Sequence, residues 1–350
     1  MQQKQTIRIS LGTLSAENVL VRLRTNDGVT GWGESSPYPA VMGETQMSDL
    51  ATGKQIGEMI KGQNPFMVSK IVHDIDGFMP GHPGIRAAFE MAVWDIVGKH
   101  AGQPVCSLLG ACRDSFLTDL TVYLDTPQVM ASKAKHIADQ GVKVVKVKLG
   151  EAPEIDVERL RAVREAVGPN INLRIDANQG WDPATAVRAL TELEKFRVEF
   201  CEQPVPYWNW DGMKFVRERS PIPIMADESV DSPHDAMQAV RRDACDMINV
   251  KLMKSGGILN AMRITQIAAA ADMKCMFGCM SETRVAITAA AHVVCANPNV
   301  HFADLDSFTE HNIDPIIGGV QLKDGSLTLP TGPGLGLDID PGWLKTLQPA

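Results

Sequence analysis

INLRIDANQGWDPATAVRALTELEKFRVEFCEQP (171–204) contains one complete strand–helix–strand unit. Its first run, INLRID (171–176), is rich in β-formers and ends on Asp176. A helical stretch follows at 183–196, where Ala184, Val187, Leu190 and Leu193 recur at helical intervals. VEFCE (198–202) then returns as a strand and also ends on an acid, Glu202. Similar β-rich runs at 120–124, 144–149, 222–227, 246–252, 273–278 and 300–305 bring the set to eight, separated by amphipathic stretches such as 154–167. This α/β alternation predicts a (β/α)8-type (TIM-like) barrel, whose parallel strands are buried on both faces. A doubly wound open sheet is the competing reading. It would carry a glycine-rich dinucleotide turn after its first strand, whereas GPGLGLD (332–338) reads as a terminal loop.

The first part of the chain has a different rhythm. TIRISLG, ENVLVRLRT and VTGWGE read as three antiparallel strands, with TNDG (25–28) as a hairpin turn. A helix over 84–102 follows, with Ile85, Phe89, Ala92, Val93, Ile96 and Val97 on one apolar face. The expected organisation is an α+β capping domain at 1–118, a barrel at 119–306, and a Gly- and Pro-rich segment at 307–350 that packs back on the capping domain.

Composition narrows the function classes. The 350 residues are 44% hydrophobic and 22% charged, ordinary for a globular protein. A net charge of −8 with no Lys/Arg block argues against nucleic acid or an anionic membrane as partner. MQQKQTIRIS has no apolar signal-peptide core and no window is long enough to span a bilayer, so a cytoplasmic protein is expected. The seven cysteines are scattered and odd in number, which argues against a disulfide framework. Cys275 and Cys279 have no second pair and no nearby histidine, so buried thiols explain them better than a zinc site.

In such a barrel, functional residues lie at the carboxyl ends of the strands. Asp176, Glu202 and Asp227 end the third, fourth and fifth strands, one βα unit apart. Singly each could cap a helix or solvate a loop. In register they converge at the barrel mouth, where their repulsion is relieved by a hard divalent cation such as Mg2+. KVVKVKLG (143–150) places Lys146 and Lys148 on one face of the second strand. Taken alone, that is how an edge strand guards itself. Lys251, on the sixth strand, faces them across the mouth, so a lysine on each side of a cation makes an arrangement for moving protons. Neighbouring positive charges are expected to depress the lysine pKa values. Lys254 lies past the strand end and has a weaker claim.

The ordered set KVK (146–148), RIDANQGW (174–181), CEQP (201–204), ADES (226–229) and VKLMKSGG (250–257) resembles the muconate-lactonising subgroup of the enolase superfamily over essentially the whole chain. The resemblance implies a Mg2+ site at Asp176, Glu202 and Asp227, with Lys148 and Lys251 as the acid/base pair. Lys146 would tune Lys148 and help neutralise the substrate carboxylate. A catalytic histidine after the seventh strand, as in mandelate racemase, is missing from MFGCMSE (276–282). FADLDS (302–307) resembles the Asp-x-Asp pair of the dipeptide epimerases. Asp304 and Asp306 would hold the ammonium of a dipeptide.

The expected function is therefore a dipeptide epimerase of the L-Ala-L-Xaa type, inverting the C-terminal residue by two-lysine proton transfer through an enolate. An N-acylamino acid racemase or o-succinylbenzoate synthase is the alternative, and a non-catalytic barrel the remote one. Relatives acting on Ala-Glu carry a basic residue where this chain has Gly12, which points to a non-acidic side chain. Family members usually have a longer lead before the stretch matching IRISLG. A homo-oligomer is expected from the same resemblance.

Overall fold

The computed structural model describes residues 7–8 and 15–347. Eight parallel strands run in sequence order around one sheet: β1 (Leu120–Val122), β2 (Val144–Lys148), β3 (Asn172–Asp176), β4 (Val198–Glu202), β5 (Ile224–Ala226), β6 (Met247–Val250), β7 (Lys274–Gly278) and β8 (Val300–Asp304). All eight coincide with the β-rich runs of the sequence, trimmed by a residue or two at their ends. The seam between β8 and β1 is bridged by Asp119 N–H donating to the Ala303 carbonyl (3.2 Å) and Leu305 N–H donating to Thr118 Oγ1 (2.9 Å).

Local chemistry fixes the units. Asp182 caps the helix Pro183–Leu193 by accepting from the backbone N–H groups of Ala184 and Thr185, and Pro183 supplies a helix-ready φ. Such a cap is worth about 1 kcal/mol. The helix turns Ala186, Ala189, Leu190 and Leu193 onto the barrel wall. That wall buries the outward residues of the strands, among them Val145, Val147, Leu173, Ile175 and Ile248, in one continuous core.

The inward residues follow a different rule, and their layering sets the height of the site. Phe200, Met225, Met247 and Met276 plug the lower barrel, with Phe302 packed against them. The Arg174 guanidinium lies over the Phe200 and Phe302 rings (5.4 and 5.0 Å) and ion-pairs Asp119 (2.7 Å) and Glu199 (2.9 Å). One strand alternation higher, Phe200, Met225, Met247 and Phe302 give way to the polar Glu202, Asp227, Asn249 and Asp304, with Gly278 on β7.

The capping domain is built on the antiparallel hairpin Val19–Arg24 and Thr30–Ser35. Its turn closes through Thr25 N–H to the Val29 carbonyl (2.9 Å). Against it pack helices Gln46–Ile60, Val68–Phe78 and Pro83–Ala101, around Val21, Ile56, Ile71, Ile75, Ile85 and Phe89. The final segment forms short strands. Ser326–Thr328 pairs with Ser115–Leu117, and Leu337–Ile339 pairs with Ile316–Gly318, so part of GPGLGLD is strand rather than loop. Asp338 accepts from Trp32 Nε1 (2.9 Å), and Asp95 accepts from Leu335 N–H (2.8 Å). Among the described residues, no helix is long and apolar enough to cross a membrane.

Candidate active site

The inward side chains at the carboxyl ends of β2–β6 and β8 form one buried ionic cluster. Asp176, Glu202 and Asp227 are each at most 1% exposed. Lys146 Nζ lies 2.6 Å from Asp304 Oδ2, 2.7 Å from Glu202 Oε2 and 3.1 Å from Asp176 Oδ2. Lys148 Nζ meets the same Asp176 oxygen at 2.6 Å, so the alternation expected of β2 does bring both lysines to one face. From the far wall, Lys251 Nζ reaches Asp227 Oδ2 at 2.8 Å. Asp306 Oδ2 accepts from Thr121 N–H (2.7 Å), and oxygens of Asp304 and Asp306 lie within 4.8 Å of each other and of Cys279 Sγ.

Asn178, Gln203 and Asn249, which sequence reasoning passed over, and Lys254, to which it gives a weaker claim, hold this cluster in place. Asn178 donates its N–H to Asp176 Oδ1 (2.9 Å) and accepts from Lys148 Nζ (2.9 Å). Gln203 accepts from Asp227 N–H (2.9 Å) and donates to Ser229 Oγ (2.8 Å), tying the end of β4 to the end of β5. Both residues hold positive φ (40° and 35°), an arrangement that costs energy in non-glycine residues and recurs at functional sites. Asn249 donates to Glu202 Oε1 (2.6 Å). Lys254 is buried beneath Asp227, pairing with its Oδ1 (2.8 Å) and with the Val230 carbonyl (2.9 Å). Its place past the end of β6 had understated it. The motifs DANQ, CEQP and VKLMKSGG each contain one such support, which is the signal that could have found them. The chain leaves Lys251 through one short turn, and Gly257 (φ 130°) takes a conformation that side-chain-bearing residues avoid.

The electrostatics are those of opposite charges packed together in a buried cluster. Burial opposes the charge on Lys251, but Asp227 and Glu202 outweigh it and raise the pKa. Lys146 is raised in the same way by Asp304, Glu202 and Asp176. The expectation of depressed values therefore fails for these two lysines, because carboxylates surround each of them more closely than other ammonium groups do. Burial is likewise overcome at Asp176, where Lys148 and Lys146 hold the carboxyl at about 2. Lys251 and Lys254 keep Asp227 well below the carboxylate range despite its burial. Burial and the Asp176 charge push Glu202 up to about 8, although Lys146 lies beside it.

The donor set suits a hard divalent cation. It is all oxygen. Glu202 Oε2 and both Asp227 oxygens are buried, and what meets them is lysine ammonium groups at ion-pair distance: Lys146 at 2.7 Å, Lys251 at 2.8 Å and Lys254 at 2.8 Å. Gly12 and the loop around it, which the sequence reading invoked for substrate choice, lie outside the described residues.

The chain is similar to known proteins along nearly its whole length. Residues 1–110 match the mandelate racemase / muconate lactonizing enzyme N-terminal domain, and residues 129–343 match the enolase C-terminal domain-like family. The chain is 41% identical to a hydrophobic dipeptide epimerase of Enterococcus faecalis over 96% of its length and 95% of the relative's. It is 38% identical to an L-Ala-D/L-Glu epimerase of Clostridium acetobutylicum, over 93% and 91%. A crystal structure of the dipeptide epimerase from Enterococcus faecalis V583, complexed with Mg and the dipeptide L-Leu-L-Tyr, matches with a TM-score of 0.91 at 40% identity, covering 96% of each chain.

Proposed function

The chain belongs to the mandelate racemase / muconate lactonizing enzyme family, and from that premise we propose that it is a magnesium-dependent dipeptide epimerase. Its relatives named above are isomerases of this kind. The observation that carries the reading is the buried pair Asp304 and Asp306, set beside a carboxylate centre flanked by lysines on opposite walls. Two carboxylates there match the ammonium of a dipeptide, and a substrate without a cation would leave them poorly satisfied.

In this mechanism Asp176, Glu202 and Asp227 hold the cation. The chemistry such an ion supplies when bound is Lewis-acid relief of the charge that builds on the substrate carboxylate as the α-proton leaves. Lys148 and Lys251 flank the α-carbon from opposite sides of the barrel. One removes the α-proton of the C-terminal residue and the other delivers a proton to the opposite face, which inverts the centre. Lys146, closed in among Asp176, Glu202 and Asp304, fixes the charge balance beneath them and helps to neutralise the substrate carboxylate.

The side-chain preference we assign is non-acidic. Relatives of nearly equal identity act on hydrophobic dipeptides and on L-Ala-D/L-Glu, so similarity alone does not choose. The choice rests on the sequence SLGT (10–13), which offers no cation for a substrate carboxylate side chain.

The test is a mixed dipeptide library incubated with enzyme and magnesium in deuterated water, read by mass spectrometry. Gain of one deuteron in L-Ala-L-Xaa members with hydrophobic Xaa supports the proposal and names the side chain. Absence of exchange in every dipeptide, with magnesium shown to be bound, rejects it.

A further inference from the structure

The capping domain holds a second group of ligating side chains, on elements that contribute none of the barrel carboxylates. Glu44 ends the connection that follows strand Thr30–Ser35 and contains the short helix Pro39–Met42, Asp49 lies in the first turn of helix Gln46–Ile60, and His82 immediately precedes helix Pro83–Ala101. One ligand atom from each of the three lies within 4.8 Å of the others. Glu44 is 1% exposed and Asp49 0%.

These groups are only partly satisfied. The Glu44 oxygens accept from Gly84 N–H at 3.2 and 3.1 Å, and Asp49 Oδ2 accepts from Ser35 Oγ at 2.5 Å. Asp49 Oδ1 is buried with no hydrogen-bond partner, and so is His82 Nδ1, which stands 3.9 Å from Glu44 Oε1. Arg86, a nearby cation, ion-pairs with Asp76 instead. Burial pushes the Glu44 carboxyl up to about 8, and the Asp49 charge adds to the effect. Even the backbone is shaped around the pair. A Cβ on Gly84 would lie 2.6 Å from Ser35 Oγ and 2.7 Å from Glu44 Oε2, so only glycine lets the helix N-terminus approach this closely.

We propose that Glu44, Asp49 and His82 form a second divalent-cation site, suited to an ion that takes mixed oxygen and nitrogen ligands, such as zinc or manganese. Two carboxylate oxygens and an imidazole nitrogen are a common donor set for such ions, and three protein ligands leave a position for water. The unpaired Asp49 oxygen and His82 nitrogen are the atoms an ion would recruit. Ser35 Oγ and Gly84 N–H serve as the outer hydrogen bonds that orient the two acids. The histidine side chain, 29% exposed, is the route from solvent. A bound ion would clamp the connection 36–43 between two helices. At the start of that connection, Ser36 already accepts from Ser281 N–H (3.3 Å) on the barrel side. The assignment is independent of the reaction proposed for the barrel.

A proton shared between Glu44 and Asp49 would satisfy the same orphan oxygen, and the experiment separates the two. The full-length protein is stripped with a chelator and titrated with zinc, the bound metal is counted, and crystals are measured at the zinc absorption edge. The expected result is an anomalous peak enclosed by Glu44, Asp49 and His82, in addition to any ion in the barrel. His82→Ala should weaken binding there by at least the roughly tenfold that losing an outer-sphere partner costs. No peak at that position at zinc concentrations that saturate the barrel, or affinity unchanged by His82→Ala, would overturn the site.

Discussion

Lys148 and Lys251 stand on opposite walls of the barrel, each held by a different carboxylate: Lys148 by Asp176 at 2.6 Å and Lys251 by Asp227 at 2.8 Å. Strands β2 and β6 are separated by three others in the sheet order, so the two ammonium groups enter the site from facing directions. In the proposed mechanism, a substrate carbon between them would meet a proton carrier on each face. That is what inversion requires, and it is more than simple elimination needs.

The separation makes the single variants informative. Lys148→Ala and Lys251→Ala should each lower epimerisation by at least about 10²–10⁴-fold, the usual contribution of a positioned acid or base. Each should still exchange the α-proton of one diastereomer with deuterated water, and the two variants should retain opposite diastereomers. NMR of the recovered dipeptides reads both properties. Inversion persisting in both variants would remove the lysines from the mechanism.

Asp306 offers a cleaner test of substrate class than Asp304, because Asp304 also ion-pairs Lys146. In Asp306→Asn the carboxamide oxygen can still accept from Thr121 N–H, while the negative charge is lost. A charge-assisted hydrogen bond is worth about 1.5–3 kcal/mol, so KM for dipeptides should rise roughly 10- to 100-fold. Turnover of N-acyl amino acids should be affected much less. Equal loss on both substrate types would detach Asp306 from ammonium recognition, and efficient N-acyl turnover by the unaltered enzyme would favour the racemase alternative.

The eight strands were legible because buried parallel strands read as short apolar runs, and here three of them end on acids one βα unit apart. Ile222 and Pro223 were drawn into β5 by the same apolar signal, but the paired strand begins only at Ile224. The supports were harder to see. Gln203, Asn249 and Lys254 look like ordinary polar residues near a loop, and their meaning lies in contacts with neighbouring strands. Lys146 shows the limit best, since its 2.6 Å partner Asp304 is 158 residues away. Sequence displays the like charge two positions off and hides the carboxylates that decide the pKa. The strands Ser115–Leu117, Gln321–Lys323 and Ser326–Thr328 are three residues each, too short to show a period.

Glu90 predicts a stability slope at neutral pH. Its Oε1 accepts from Leu259 N–H (2.9 Å) and Trp94 Nε1 (3.1 Å), while Oε2 is buried against Gly257 without a hydrogen-bond partner. Burial raises its carboxyl to about 7. Because the folded value is raised, its contribution is full below the unfolded carboxylate range and is lost as pH rises through about 7. The loss is of order 3 kcal/mol. Urea denaturation at pH 5 and pH 8 should show the wild type losing more stability than Glu90→Gln over that interval. Parallel pH profiles would mean that Glu90 ionises freely in the folded protein.

His292 predicts the opposite slope in acid. It sits fully buried on the helix Arg284–Ala296, where Nδ1 accepts from Cys106 N–H (3.1 Å) and Nε2 meets the Leu335 carbonyl (3.3 Å). Those partners fix the neutral tautomer, with the proton on Nε2, and link the barrel helix to the end of the capping domain and to the final segment. Burial lowers its pKa to about 4. A depressed pKa contributes stability that is fully present above the unfolded value near 6.5 and is lost as pH falls through about 4, again of order 3 kcal/mol. Protonation would also turn Nδ1 from an acceptor into a donor facing Cys106 N–H, breaking that link first. In His292→Gln the acid slope between pH 6.5 and 4 should flatten, whatever the change in stability at neutral pH. Hydrogen exchange at Cys106 should accelerate in the wild type over the same interval. A wild-type stability curve that stays level down to pH 4 would show that this histidine is not what the fold loses first in acid.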